Sequence, residues 1–316
     1  MKEKVLITGF NGEIGSKILK ELVNNDKSVI AIDVTDSKEK IDSVSYIKDS
    51  ILNFKLINQL FENYNITAVY HFAALLSQTA YKNPELANEI NEKASKNLID
   101  LAYSHGIANN RITKLFFPSS IAVYGPRKID NALEQDIIKP TTVYGNNKLV
   151  IEQYGSKIHE KSISKNIGLD FRSIRFPGVV SYDTIPSGGT TDYAPQMIDS
   201  AKNNRPFDCK LAPETVLPFI GIDKTVSSII DIMNLDVIDS KLRVFNVEEV
   251  NFSVQKLSDF LKIKFPSFKI TFNEDKNFQS VADTWPSSLN CGRANKYWNF
   301  KSGQSFESFI ENIINR

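Results

Sequence analysis

Hydrophobic positions along the chain change their spacing in a regular order. Val5–Thr8 is a short apolar run, as expected of a strand covered on both faces. A glycine-spaced turn follows, and Ile14, Ile18, Leu19, Leu22 and Val23 then fall on one helical face. Ser28–Asp33 predicts a second strand, Ile51–Tyr64 a helix and Ala68–Phe72 another strand. Pro84–Tyr103 reads as one long amphipathic helix opened by its proline. Leu115–Pro118 and Leu169–Ile174 read as strands, with helical spacing over Thr142–Ser162 between them. Strands alternating with helices predict an α/β fold, a parallel sheet covered on both faces.

The rhythm breaks after Pro177. Arg175–Pro195 reads RFPGVVSYDTIPSGGTTDYAP, crowded with hydroxyls, glycines and prolines, and fits neither period. A loop this long inside a compact domain is usually functional or disordered. Pattern resumes with a helix near Tyr193–Asn203, an apolar segment Val216–Ile220, and Asp223 as N-cap of a helix over Lys224–Met233. Arg243–Asn246 suggests a further strand. Ser253–Lys264 and Ser305–Ile314 are helical in pattern, with Phe268–Phe272 between. The expected division is a first unit, 1–176 with 221–247, and a smaller α/β lobe, 177–220 with 248–316.

Composition narrows the class. The 316 residues carry 38 basic and 37 acidic side chains, evenly mixed, for a net charge of +1. That balance offers neither a nucleic-acid footprint nor a membrane-seeking face. Cys209 and Cys291 stand far apart in no paired motif, which suggests two free thiols. His71, His105 and His159 lack metal-ligand spacing, so no metal is expected. The opening MKEKVLITG enters a strand directly, and no apolar run reaches membrane length. A cytoplasmic protein is the expectation.

Candidate chemistry begins at TGFNGEIG, where Gly9, Gly12 and Gly15 lie between a strand and a helix. The first glycine permits the sharp turn, the second lets backbone amides approach a pyrophosphate, and the third allows close helix-on-strand packing. Asn11, Glu13 and Ile14 belong to the same turn, and the helix start favours an anion. Asp33 closes the second strand, where a carboxylate can accept ribose hydroxyls and would repel a 2′-phosphate. Val34, Thr35 and Asp36 follow it without a cation, which favours NAD over NADP. Asp33 as a simple turn residue is the bland alternative. Tyr144 and Lys148 lie four apart at the start of a helix and share a face. A phenol of pKa about 10 is a poor base at neutral pH, and a nearby ammonium lowers that pKa. Ser119 and Ser120 end the preceding strand, where open α/β sheets keep their ligands.

TGFNGEIG, HFAALLS, PSSIAVYG and YGNNK together resemble the extended short-chain dehydrogenase/reductase family. The resemblance implies a Rossmann-type doubly wound parallel sheet with a smaller C-terminal α/β substrate lobe. It implies Ser120, Tyr144 and Lys148 as the catalytic trio, with Ser119 a neighbour at the substrate. It places Asp49, with Ser50 and Ile51, at the adenine of NAD, and Phe72, Ala73 and Ala74 along the cofactor. PGVVSYDTIPSGGTTDYAP, HFAALLS and ADTWPSSLN are similar to the family's threonine-oxidising branch. The implied activity is NAD-dependent oxidation of the L-threonine β-hydroxyl to 2-amino-3-oxobutyrate, which can lose CO2 to aminoacetone.

A small zwitterion needs donors for its carboxylate and an acceptor for its ammonium. Ser77, Thr190, Thr191 and the amides around Gly188–Gly189 offer donors. Asp192 faces the ammonium or caps the helix after it. Trp285 closes the pocket or packs in the lobe. Tyr124, in AVYG, departs from that branch and leans towards its epimerase relatives; Ser120 stands where the branch often has threonine, and both keep a hydroxyl in place. The alternative is a nucleotide-sugar 4-epimerase or dehydratase with bound NAD, for which residues 177–220 supply only Lys202, Arg205 and Lys210 as cations. The resemblance also implies a homodimer through a four-helix bundle built from Pro84–Tyr103 and Thr142–Ser162.

Overall fold

The computed structural model describes residues 3–37, 39–125, 129–136, 138–163, 165–184, 189–236 and 243–316. Gly188, of the opening loop, lies outside them. Strands run in chain order as β1 (Glu3–Thr8), β2 (Val29–Asp33), β3 (Val44–Lys48), β4 (Asn65–His71), β5 (Ile112–Ser120) and β6 (Gly168–Phe176). They continue as β7 (Gly178–Val180), β8 (Phe207–Cys209), β9 (Val216–Gly221), β10 (Val244–Asn246), β11 (Val250–Ser253) and β12 (Ile270–Phe272). Seven parallel strands form the central sheet in the order β10-β6-β5-β4-β1-β2-β3. The order reverses at β1, so a crevice opens beyond the carboxyl ends of β1 and β4, where such sheets bind ligands.

The period-2 alternation of each strand divides its side chains between two faces. Val5 and Ile7 join Ile18, Phe116, Ile229 and Phe245 in one buried cluster. Leu6 joins Ile30, Ile57, Leu98, Leu115 and Phe171 in the other. The first is covered by α1 (Glu13–Asn24), the second by α2 (Phe54–Asn63). α3 (Ser77–Lys82) and α4 (Pro84–Ala87) lead to α5 (Ser95–Ala108), and α6 (Val143–Ile163) packs beside α5. α7 (Tyr193–Lys202) and α8 (Ile222–Asn234) follow. β7, β9 and β11 make a three-stranded sheet and β8 with β12 a two-stranded one. Met197, Leu217, Phe219, Phe252, Leu257 and Phe309 share the core beside them.

The segment read as one amphipathic helix over Pro84–Tyr103 is helical throughout, but Asn88–Ala94 is wound as a π-helix. Buried Asn91 spends its amide on the backbone of Leu75, accepting from its N–H at 2.8 Å and donating to its carbonyl at 3.0 Å. Its own carbonyl accepts from Ser95 Oγ at 2.8 Å. Such local rewinding is characteristic of functional sites. Asp223 is not the N-cap: Gly221 holds that place, with α8 starting at Ile222. Asp223 instead accepts from Tyr182 Oη at 2.8 Å and pairs with Arg316. β3 has no clean alternation and was invisible to periodicity alone, its burial being mixed.

His71 sits at the switch point, 2% exposed. Thr8 Oγ1 lies 2.7 Å from its Nδ1 and Ser95 Oγ 2.8 Å from its Nε2. Because Ser95 donates to Asn91, the network assigns the proton to Nε2. Burial, aided by Lys148, lowers the imidazole pKa to about 3. The unfolded chain takes up that proton near pH 6.5 and the folded chain does not, so this group's stability contribution is full above that pH. It falls by about 1.4 kcal/mol per unit as pH drops towards the folded value. Urea unfolding between pH 7 and 4 is expected to show this slope, and His71→Asn to show less of it. An equal slope in the variant assigns the acid sensitivity elsewhere.

Candidate active site

The glycine turn follows from backbone geometry. Gly9 has φ +72°, a left-handed conformation that other residues rarely adopt. A Cβ on Gly15 would stand 2.2 Å from the Gly9 carbonyl oxygen, so α1 can lie against the turn only with glycine there. Gly15→Ala is expected to cost at least about 2 kcal/mol of stability and to weaken NAD+ binding, read by thermal melts with and without NAD+. Unchanged melting and binding would show that the turn yields.

Two cavities of ≈340 Å³ each meet at this turn and share Gly9, Gly12, Phe72 and Ala74. One runs past Asn11, Asp33, Asp49, Ser50, Ile51 and Ala73. Asp33 is held there, accepting from Asn11 N at 3.1 Å and from Thr35 N at 3.0 Å and Thr35 Oγ1 at 2.9 Å. No lysine or arginine lines this cavity among the described residues, an environment hostile to a 2′-phosphate. The other cavity takes in Glu13, Ile14, Gly15, Ser77, Ser119, Ser120, Tyr144, Lys148, Gly189, Thr190, Thr191 and Trp285. The residues proposed from the sequence for the catalytic trio, the cofactor and the substrate therefore line one cavity or the other, Gly188 lying outside the described residues. The amide-rich turn, where added Cβ atoms would collide, and the carboxylate beyond it fit a dinucleotide.

Ser120 ends β5 and Tyr144 lies in the first turn of α6, and both line the second cavity. Lys148, one turn further, is 3% exposed and donates from Nζ to the Pro118 carbonyl at 2.7 Å. Its Nζ stands 4.6 Å from the Phe117 ring centroid and 5.4 Å from that of Tyr144. Burial pushes the Tyr144 phenol up to about 12, with Asp192 adding to it and Ser120 opposing. Burial lowers the Lys148 amine to about 7, with Glu152 opposing. The expectation that the ammonium depresses the phenol is thus not what this state shows. Desolvation disfavours both charges and is the largest cause of both shifts.

Behind this trio lies a charged network that periodicity did not single out. Glu152 is one turn beyond Lys148. Its carboxylate accepts from Ser119 Oγ and, bidentately, from Arg175 at 2.9 and 2.7 Å. Arg175 also donates to Tyr124 Oη and the Glu134 carbonyl, both at 3.1 Å. Tyr124 donates to Asn246 Oδ1 at 2.9 Å and is fully buried. It lines neither cavity, so its departure from the threonine-oxidising pattern bears on packing and not on substrate. Two arginines in the apolar run FRSIRF were the available signal, since a buried arginine requires a partner.

The opening loop forms much of the second cavity. Asp192 holds the N-cap position of α7 but makes no side-chain bond to that helix. Its carboxylate accepts from Gly189 N at 2.7 Å, which removes that amide from the donors offered to a ligand. Burial raises the Asp192 pKa, with Gly189 N opposing. Trp285 is 5% exposed, and its Nε1 is a buried donor without a partner among the described residues. Among the described residues no group of three or more His, Cys, Asp or Glu could hold a metal ion, and no helix is long and apolar enough to cross a membrane.

A reversing parallel sheet, a glycine turn at the reversal and a phenol–amine pair at the cavity end define a Rossmann-fold dinucleotide-dependent protein. Residues 5–229 match the NAD dependent epimerase/dehydratase family, and the chain belongs to it; its cofactor is NAD. Among curated proteins it is 31% identical to the mitochondrial L-threonine 3-dehydrogenase of Bos taurus, over 99% of this chain and 82% of that one. Among solved structures, L-threonine dehydrogenase from Phytophthora infestans shares 26% identity with a TM-score of 0.88, covering 99% of this chain and 98% of that one. A monomeric L-threonine 3-dehydrogenase from a metagenome database, in apo form, shares 28% with a TM-score of 0.83, covering 98% and 97%.

Proposed function

We propose that this protein oxidises the β-hydroxyl of L-threonine to 2-amino-3-oxobutyrate, with Ser120, Tyr144 and Lys148 as its reacting groups. The observation that carries this reading is the set of polar groups placed in the largely apolar wall of the second cavity. It offers hydroxyls, two carboxylates (Glu13 and Asp192) and an indole N–H, and Lys148 is the one lysine or arginine lining it among the described residues. That set suits a small zwitterion and is poor for a sugar diphosphate. Lys202, Arg205 and Lys210 are exposed outside the cavity, the latter two paired with Asp199 and Asp208. The threonine dehydrogenases among the relatives support the same reading.

Gly9, Gly12, Gly15 and the residues beside them would hold the dinucleotide across the turn, with Asp33 at a ribose and Asp49, Ser50 and Ile51 beyond. When bound, NAD+ supplies the acceptor for the hydride that leaves Cβ. Ser120 and Tyr144 hold the β-hydroxyl, and Tyr144 takes its proton. Ser77, Thr190, Thr191 and Trp285 Nε1 donate to the carboxylate, while Asp192 accepts from the ammonium. Residues 1–176 with 221–247 hold the cofactor, and 177–220 with 248–316 close over the substrate. The test is NADH formation across L-threonine, its stereoisomers and UDP-sugars. Turnover of a UDP-sugar without NADH from L-threonine would replace this reading with the epimerase one.

In this reading Tyr144 and Lys148 act together as the proton-accepting unit. With the amine near 7 and the phenol near 12, the pair loses its first proton around neutrality. The form that has lost it can accept the substrate's proton, so kcat/KM is expected to rise through about pH 7. Glu152 raises the amine's pKa, so Glu152→Gln is expected to move that midpoint to lower pH. An unmoved midpoint would detach Glu152 from the proton-transfer pair.

For assembly the reading is a homodimer through a four-helix bundle of Pro84–Tyr103 and Thr142–Ser162 from each copy. Glu92–Lys96 at 2.7 Å and Asp100–Tyr154 at 2.6 Å would give that seam a polar character. Sedimentation equilibrium decides it, and a monomer at micromolar concentration overturns it. The buried thiols of Cys209 and Cys291 accord with a cytoplasmic setting, which imaging of a tagged chain tests.

A further inference from the structure

Glu13 was assigned to the cofactor turn by its place between Gly12 and Gly15. Its backbone belongs there, but its side chain is engaged elsewhere. One carboxylate oxygen accepts from Ser181 Oγ at 2.5 Å and the other from Thr184 Oγ1. One turn along the same helix, Lys17 pairs with Asp183. The Tyr182 ring centroid is 5.0 Å from Lys17 Nζ and 4.8 Å from the Arg316 guanidinium. Four consecutive residues, Ser181–Thr184, are thus each tied to α1, to Asp223 on α8 or to Arg316. Burial works against the charge of Lys17, yet its hydrogen bond and attraction to Asp183 outweigh that and raise its pKa.

The location of these ties gives them meaning. Upstream, the strap leaves β7, whose Val179 lines the second cavity; further along the chain, Gly189–Asp192 line it again. Glu13 and Ser181 line that cavity too. The wall of the proposed substrate pocket is therefore fastened to the first turn of the helix that presents backbone amides to the dinucleotide. A carboxylate on that first turn is favoured by the helix dipole, so the clasp is placed where it is electrostatically stable. Hydrogen bonds to a charged group are worth more than neutral ones.

We propose that Glu13 is a positioning residue that couples the cofactor seat to the substrate wall by holding Ser181 and Thr184. Order imposed on α1 by the dinucleotide passes through the clasp to Val179 and Gly189–Asp192, and substrate binding tightens the dinucleotide by the same factor. The inference rests on the threonine reading for the identity of the ligand, but not for the clasp itself.

The experiment compares the full-length protein with Glu13→Ala, Ser181→Ala and the double variant. NADH affinity is measured by fluorescence titration with and without L-threonine, beside steady-state kinetics and hydrogen exchange over residues 178–184. Loss of charge-assisted bonds of this kind is expected to raise the KM for L-threonine about tenfold in Glu13→Ala, with kcat little changed. NADH affinity alone is expected to stay within about twofold, while its enhancement by L-threonine is lost. Ser181→Ala acts in the same direction, and the double variant is expected to be no worse than Glu13→Ala, because both remove one contact. Faster exchange over the strap accompanies both. NADH affinity falling in step with KM, additive effects or unchanged exchange each overturn the proposal. Should the wild-type protein leave L-threonine untouched, the functional reading fails, and exchange together with the NADH titrations still decides the clasp.

Discussion

Tyr144→Phe is expected to lower kcat for NADH formation from L-threonine by about a thousandfold, within the range that a lost proton-transfer group commands. The ring, its packing and its place at the start of α6 are all kept, so folding and NADH affinity should not move. What is removed is the phenolic oxygen, whose pKa Ser120 draws down against burial and to which the substrate's proton passes. The residual rate should lose the rise through about pH 7 assigned to the Tyr144–Lys148 pair, because the group that uses that titration is gone. A stopped-flow trace at saturating substrate checks the chemical step directly. If turnover is undiminished, the base is another group and the mechanism above is wrong at its centre.

The second large effect is on stability. Arg175 and Glu152 are 2% and 3% exposed and joined bidentately. Arg175→Met would leave the carboxylate buried, with the Ser119 hydroxyl its one remaining hydrogen-bond donor among the described residues and Lys148 its remaining positive neighbour. Breaking one side of a buried pair costs about 3–5 kcal/mol, enough to lower the melting temperature by roughly 10 °C in a chain of this size. Removing both charges, in Arg175→Met with Glu152→Leu, should recover most of the loss, because no unpaired ion remains. Calorimetry of the three proteins checks it. A double variant no better than the single one would mean that the network's neutral bonds, through Tyr124 and Asn246, dominate.

Much of this molecule was legible in its residues. The alternation of apolar runs and helical stripes carried the parallel sheet, because a strand buried on both faces and a helix buried on one leave different marks. The site residues were legible because short motifs fix backbone geometry: Gly9 and Gly15 are required by the turn itself, whatever the ligand. Three things were hidden. The π-wound stretch at Asn88–Ala94 depends on Asn91 finding Leu75, a contact with no local pattern. Asp223 and Asp192 have the chemistry of helix caps, but distant partners claimed the first and the Gly189 amide of the preceding turn claimed the second. The Glu152–Arg175 pair and the Glu13 clasp join residues 23 and 168 positions apart, beyond any reading of period or spacing.

The shared waist of the two cavities has a consequence for how a long ligand is gripped. Gly9, Gly12, Phe72 and Ala74 belong to both chambers, so an occupant spanning them is anchored at two ends through a narrow middle. Each half holds the other at high local concentration, a chelate effect. Fragments that fill one chamber, such as an adenosine or a nicotinamide mononucleotide, should therefore bind far more weakly than the linked molecule. Two such fragments, one for each chamber, need not exclude one another.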